Sequence, residues 1–205
     1  MWRYLTSILL SRLTRHRLEE EVPIGWSELV FSSRAGVPSP SKVMIVAHPD
    51  DESLFGGEAL TSSSGWTVIC VTNGTNEQRR CEFIEAMSSI GANYTMLGHF
   101  DHLASGNFSG RLDEQLQELL EEFPYDMVVT HNERGEYSHP QHRAVHRIVR
   151  RLVTSRPLYV FDHSWMTRPR MSAAKRALIA HYESQRPSVE FVWPLASRER
   201  LRRIQ

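Results

Sequence analysis

The stretch Ser41–Gly57, SKVMIVAHPDDESLFGG, runs an apolar segment, Val43–Ala47, straight into a histidine, a proline, three successive acids and a pair of glycines. The β-branched run reads as a buried strand. A hydrophobic strand that ends in so much charge needs a reason.

Outward from this segment, short β-branched runs alternate with longer amphipathic ones. Val43–Ala47, Thr67–Thr72, Tyr94–Leu97, Met127–Thr130 and Leu158–Phe161 read as strands. Glu58–Ser63, Glu77–Ile90, Leu112–Glu122, Gln141–Val153 and Ala173–Glu183 read as helices. This βα alternation, with right-handed crossovers, predicts a Rossmann-like three-layer α/β sandwich, a mostly parallel sheet flanked by helices. The Ser- and Pro-rich VFSSRAGVPSPSK, Val30–Lys42, reads as a linker. The expected organisation is an N-terminal helix and linker, 1–40, followed by one globular domain, 41–205. In open parallel sheets ligands bind outside the carboxyl ends of the strands, which directs attention to His48 and to residues 131–142.

With 205 residues and 40% hydrophobic composition the chain is long enough for one well-buried domain. Lys and Arg balance Asp and Glu at 24 each, so no global field argues for a nucleic-acid partner. Two cysteines, Cys70 and Cys81, make neither a disulfide framework nor a Cys-type zinc pattern, and a reducing, cytoplasmic setting is expected. No apolar run approaches the roughly 20 residues that span a bilayer. The segment MWRYLTSILLSRLTRHRL, residues 1–18, carries Arg3, Arg12, Arg15 and Arg17 with Leu5, Ile8, Leu9 and Leu13 at helical spacing. It suits a helix packed on the core, a targeting presequence, or peripheral contact with a membrane surface. Nothing in the sequence sets the oligomeric state.

Acids at the start of a helix are ordinary, because free N–H groups and the macrodipole favour negative charge there. Capping accounts for one or two of Asp50, Asp51 and Glu52. It does not account for His48 three positions before Asp51, nor for carboxylates crowded where they repel one another without a cation. A metal ion explains both. The H-x-x-D spacing around Pro49 lets His48 and Asp51 converge on one ion and leaves Asp50 beside whatever that ion binds.

A second cluster follows the fourth expected strand. THNERGEYSHPQHRAVHR, Thr130–Arg147, holds His131, His139, His142 and His146. Pro140 suits the first turn of a helix, which places His139 at its start and His142 one turn on, near the strand ends. His48, Asp51 and one of these histidines make a two-His, one-carboxylate site with a position left for water, as in catalytic zinc sites. Iron and manganese accept the same donors.

These residues carry a family resemblance. A-H-P-D-D-E at Ala47–Glu52 and S-H-P-Q-H at Ser138–His142, with RCEFIEAMSSIG at Arg80–Gly91 and LGHFD at Leu97–Asp101, are similar to the LmbE/PIG-L family of zinc-dependent N-deacetylases. The resemblance extends over residues 43–185. It implies a hydrolase of linear amides that removes the acetyl group from an N-acetylglucosamine-type sugar, including glycan- or lipid-linked forms. Carried over position by position, it makes His48, Asp51 and His142 the metal ligands and Asp50 the general base, and it sets His139 and Tyr137 beside the reacting carbonyl. The chemistry agrees: a metal polarises the amide oxygen and acidifies water, while Asp50 takes the proton. His139 as imidazolium and the Tyr137 hydroxyl would then stabilise the oxyanion. Arg80 and Asp101 resemble substrate-contacting positions, a surface charge and a loop cap being their plainer readings.

Two other readings fit the same residues: hydrolysis of another amide or an ester, and a metal-binding module without turnover. Asp50, which is not needed to hold an ion, speaks against the second. Two departures from the family pattern stand out. Gln141 replaces the Asp that many members carry between the paired histidines, and a glutamine cannot raise a neighbouring imidazole's pKa as a carboxylate would. The chain is also short after the fifth expected strand, and the loop at TNGTNEQRR, Thr72–Arg80, is brief, which predicts an open crevice with reduced walls.

Overall fold

The computed structural model describes residues 30–34, 39–102, 104–108, 111–163 and 169–205; the basic segment 1–18 lies outside them. One sheet of seven strands has the order β1 (Val30–Ser33), β4 (Asn93–His99), β3 (Trp66–Thr72), β2 (Lys42–Val46), β5 (Met127–Thr130), β6 (Leu158–His163), β7 (Glu199–Arg203). The inner strands run parallel, and the two edge strands pair antiparallel with their neighbours. The expected α/β sandwich is the fold observed.

Because side chains alternate along a strand, β2 feeds two cores at once. Met44 and Val46 face a cluster with helices α1 (Asp51–Ser62), α2 (Glu77–Ser89), α5 (Ala173–Ile179) and α6 (Arg186–Ala196). Val43 and Ile45 face a second cluster with α3 (Leu112–Glu121) and α4 (Pro140–Leu152). β2 and β3 are buried along almost their whole length, as strands covered on both faces must be. From β2 the chain winds outward through β3 and β4, then crosses back to β5 on the other side. The strand order therefore reverses at β2 and β5, and the carboxyl ends of these two neighbours frame a crevice.

The structure departs from the sequence reading at four places. Helix α1 begins at Asp51, seven residues before the expected start at Glu58. Gly56 and Gly57 weaken the helical signal there. Packing overrides it: a Cβ on Gly56 would press on the end of the Met44 side chain, and the glycine lets α1 lie close to β2 without displacing it. Val30–Ser33, read as linker, is the edge strand β1. The charged ERLRR is the opposite edge strand β7, and RPSVEFVWPLA is helix α6 despite its two prolines. Among the described residues no helix is long and apolar enough to cross a membrane.

A buried ion pair anchors the far half of α1. The Lys175 ammonium, fully enclosed, donates to the Leu54 carbonyl at 2.8 Å, the Ala196 carbonyl at 2.7 Å and the Glu199 carboxylate at 2.6 Å. Glu199 in turn accepts from the Glu58 and Ala59 amides at 2.9 and 3.1 Å. This network joins α1, α5, α6 and β7. Lys175→Met is expected to destabilise the fold by about 3–5 kcal/mol, because the Glu199 carboxylate would stay buried without its partner. Chemical denaturation checks this, and Lys175→Met/Glu199→Gln should recover much of the loss.

Candidate metal centre

The turn from β2 into α1 settles where the three acids go. Asp50 has φ 131°, a backbone conformation that favours glycine, and holding a non-glycine residue there costs about 1–3 kcal/mol. Glu52 stabilises the turn from beneath. One of its carboxylate oxygens accepts the Asp50 amide at 3.1 Å, and the other accepts the Tyr182 hydroxyl and the Ser53 hydroxyl, both at 2.6 Å. The Asp50 carboxylate makes no capping bond to α1. Capping is therefore not what these acids do: Glu52 ties the turn to Tyr182, Asp51 meets the histidines, and Asp50 lines a cavity.

Three buried atoms converge above this turn. His48 Nδ1 lies 3.2 Å from Asp51 Oδ2 and 3.1 Å from His142 Nε2, and His142 Nε2 lies 3.2 Å from Asp51 Oδ2. The proton positions follow from the partners on the far side of each ring. Gln141 accepts the His102 backbone N–H at 3.1 Å and donates its amide N–H to the Phe100 carbonyl at 2.8 Å, which fixes the orientation of its amide. Its oxygen then stands 2.9 Å from His48 Nε2, so that nitrogen carries the proton. Likewise His142 Nδ1 donates to the Glu136 carboxylate at 2.7 Å. As neutral rings, both imidazoles thus turn lone pairs toward a carboxylate oxygen, and despite burial Asp101 and Asp51 raise the proton affinity of His48 while Asp51 and Glu136 raise that of His142. The triangle therefore draws a cation, a proton or a metal ion, into its centre. With ligand bonds of about 2.0–2.2 Å, a tetrahedral ion holds its donors about 3.3–3.5 Å apart, close to the spacing found.

His131 looks like a further ligand but is already engaged. Its Nε2 accepts the Ala47 backbone N–H at 2.9 Å, so its Nδ1 carries the proton and donates to Glu136 at 2.8 Å. One Glu136 oxygen therefore clamps both His131 and His142, and despite burial these imidazoles bring its pKa down to about 2. The loop that delivers Glu136 turns at Gly135, φ 69°, where a Cβ would stand 2.6 Å from the His139 carbonyl. His146 is buried, and its Nδ1 donates to the His131 carbonyl at 2.8 Å.

Beside the triangle lies a cavity of about 90 Å³, lined by Asp50, Arg79, Asp101, Tyr137 and His139 with Gln185, Ser188 and Val192. Burial and the adjacent Asp51 charge push Asp50 up to about 8, against the pull of Arg79, whose guanidinium stands 3.6 Å away. Burial also raises the Tyr137 hydroxyl, which stays a donor. His139 departs from expectation. Burial, then the neighbouring His142 and His48, push it down to about 3, so it is held as neutral imidazole rather than imidazolium. Gln141, whose oxygen faces His48, brings no charge to oppose this.

All eight residues singled out from sequence lie at the carboxyl end of the sheet, but not all at one point. His48, Asp50, Asp51, Asp101, Tyr137 and His139 line the cavity, and His142 lies directly behind it. Arg80 is turned aside: it donates to the Gly74 carbonyl at 2.7 Å, lies over the Phe31 ring, and shares a neighbouring groove with Asp101. The guanidinium at the cavity is Arg79, one residue earlier and about 100° away around α2. Sequence reasoning also missed Glu136, which a carboxylate next to an expected site tyrosine could have signalled. Among the walls of the crevice, α6 supplies one side through Ser188 and Val192, which the sequence reading did not foresee.

Known proteins resemble this chain in sequence and in fold. A mimivirus protein, Uncharacterized protein L374 of Acanthamoeba polyphaga mimivirus, is 38% identical over 125 residues, 53% of this chain; the match spans little more than half of that protein, 56%. The A40926 pseudoaglycone deacetylase Dbv21 has the same fold at TM-score 0.56 and 17% identity, over 74% of this chain and 85% of that one. A deacetylase–teicoplanin complex from teicoplanin biosynthesis matches at TM-score 0.52 and 13% identity, over 74% and 88% of the two chains. Residues 43–153, more than half of the chain and the part that carries the whole triangle, match the family described as PIG-L, GlcNAc-PI de-N-acetylase, and to that family this chain belongs.

Proposed function

We propose that the protein is a metal-dependent hydrolase that removes the acetyl group from an N-acetylated amino sugar of the N-acetylglucosamine type. The observation that carries this reading is the triangle of lone pairs at His48, Asp51 and His142, with a separate carboxylate, Asp50, on the wall of the adjoining cavity. When bound to these three residues, zinc, or iron or manganese in its place, would polarise the amide oxygen and lower the pKa of the attacking water. Asp50 takes the proton of that water as its oxygen adds to the acetyl carbon. The Tyr137 hydroxyl and the neutral His139 ring supply hydrogen-bond donors for the oxyanion. Asp50 then returns the proton to the departing amine, and acetate and the free amino sugar result. Arg79 keeps Asp50 oriented between these steps.

The substrate fits the cavity only in part. The cavity is small, about 90 Å³, and the acetamido group is the part of the substrate that must reach its inner wall. The ring and whatever it carries lie across the mouth, with Asp101 and the groove of Arg80 and Phe100 on one side. This supports a glycan- or lipid-linked substrate, and the bulk of the partner in the deacetylase–teicoplanin complex is consistent with it. A lipid-linked sugar would bring residues 1–18 to a membrane surface on the cytoplasmic side.

Acetate release from free, nucleotide-linked and lipid-linked N-acetylglucosamine, measured at defined metal content, tests the proposal. One zinc per chain is expected, with turnover lost on chelation and restored by metal. His142→Ala should lose the metal, whereas His139→Ala should keep it and turn over more slowly. A chain without stoichiometric metal that hydrolyses in the presence of chelator would overturn the mechanism. Asp50→Asn separates catalysis from binding. It should retain the metal and fold normally, with kcat reduced about 10²–10⁴-fold. Near-normal kcat at full metal occupancy would assign the base to another residue.

A further inference from the structure

We infer that Gln141 is a positioning residue that sets the metal affinity of His48 and ties that ligand to the loop carrying Asp101. Gln141 is fully buried in the first turn of α4, one residue before His142. Its side chain makes three hydrogen bonds to two other parts of the chain. The oxygen accepts from His48 Nε2 at 2.9 Å and from the His102 amide at 3.1 Å, while the nitrogen donates to the Phe100 carbonyl at 2.8 Å. The first bond keeps the proton on Nε2 and so presents the Nδ1 lone pair to the triangle. The other two hold the backbone on both sides of Asp101, a residue of the cavity wall.

A glutamine does here what an acid cannot. A carboxylate would accept from His48 and His102 but would meet the Phe100 carbonyl oxygen with another acceptor. The amide satisfies all three groups without adding charge to a cluster that already holds Asp50, Asp51, Asp101 and Glu136. Asp101 itself stands 3.4 Å from His48 Nε2, farther than Gln141, and its other oxygen accepts from the Asn73 side chain at 3.1 Å. Gln141 is thus the closer partner of the ring. Second partners of metal-bound histidines typically change metal affinity about 10–100-fold when removed.

The inference rests on the metal site proposed above, and its test reads metal binding rather than turnover. Zinc dissociation constants from chelator competition, with hydrogen exchange of the Phe100–His102 segment, would be measured on the full chain and on Gln141→Met, Gln141→Glu and Asp101→Asn. Gln141→Met removes every polar contact, and it should weaken zinc about 10–100-fold and speed exchange in the segment. Gln141→Glu restores the acceptor alone: zinc affinity should return to within a few-fold of wild type while exchange stays fast. That split also carries the test should Gln141→Met fold poorly, since no general loss of stability produces it. Wild-type affinity in Gln141→Met, equal zinc loss in Gln141→Glu, or a greater loss in Asp101→Asn than in Gln141→Met would each overturn the inference while leaving the metal site standing. A wild-type chain that takes up no zinc would overturn the site and the inference with it.

Discussion

Everything at the carboxyl end of this sheet depends on keeping three lone-pair donors, His48 Nδ1, Asp51 Oδ2 and His142 Nε2, within 3.2 Å of one another in a buried place. Left without a cation, proton or metal ion, that arrangement is unfavourable, because a buried carboxylate and two lone pairs compensate one another poorly. The chain meets this cost with rigid attachment. His48 and Asp51 sit on one short turn, the His48 amide itself donates to Asp51 Oδ2 at 2.8 Å, and His142 arrives on the first turn of a helix clamped by Glu136. Each outer ring nitrogen has a polar partner, so neither imidazole can rotate or exchange tautomers cheaply.

The same logic extends through the α1 side of the sheet. The polar groups that leave the site downward end in Tyr182, which holds Glu52 and with it the unusual φ of Asp50. A turn later, Lys175 and Glu199 fasten the next stretch of α1 to both α6 and the edge strand β7. α1 is thereby fixed at the end that carries Asp51 and again beyond its glycines. Since α6 also walls the cavity through Ser188 and Val192, the late segments of the chain shape the site without contributing a ligand.

The parts of this architecture legible in the sequence were those with strong local signals. The inner strands of the parallel sheet are nearly continuous apolar runs, and H-P-D-D-E with H-P-x-H marks two strand ends by residue type alone. The rest was hidden for identifiable reasons. β1 is four residues long, and β7 reads ERLRR, a charged edge strand that pairs on one side only and buries little. The first turns of α1 hide behind two glycines, one packed against Met44 and the other against the Lys175 side chain. Arg79 and Arg80 cannot be told apart by type, and only the phase of α2 decides which one meets Asp50. Glu136 had only its place beside Tyr137 to announce it, because its role depends on His131 and His142 arriving from different elements.

Charge balance joins these details. Asp50, Asp51, Asp101 and Glu136 gather around the triangle with Arg79 as the nearest guanidinium, and His139 is held neutral. With these four carboxylates ionised, a divalent cation would bring the cluster to within one charge of neutrality. In the proposed reaction Asp50 would accept the proton of the attacking water, so one negative charge would leave the cavity wall as one appears on the oxyanion, and the total would not change. The cavity would then need only to move charge over a few ångströms, between groups already oriented, and neutral donors such as Tyr137 and His139 would suffice at the oxyanion because they add no charge of their own. An acid at position 141 would upset this balance beside His48, and an uncharged glutamine leaves it intact.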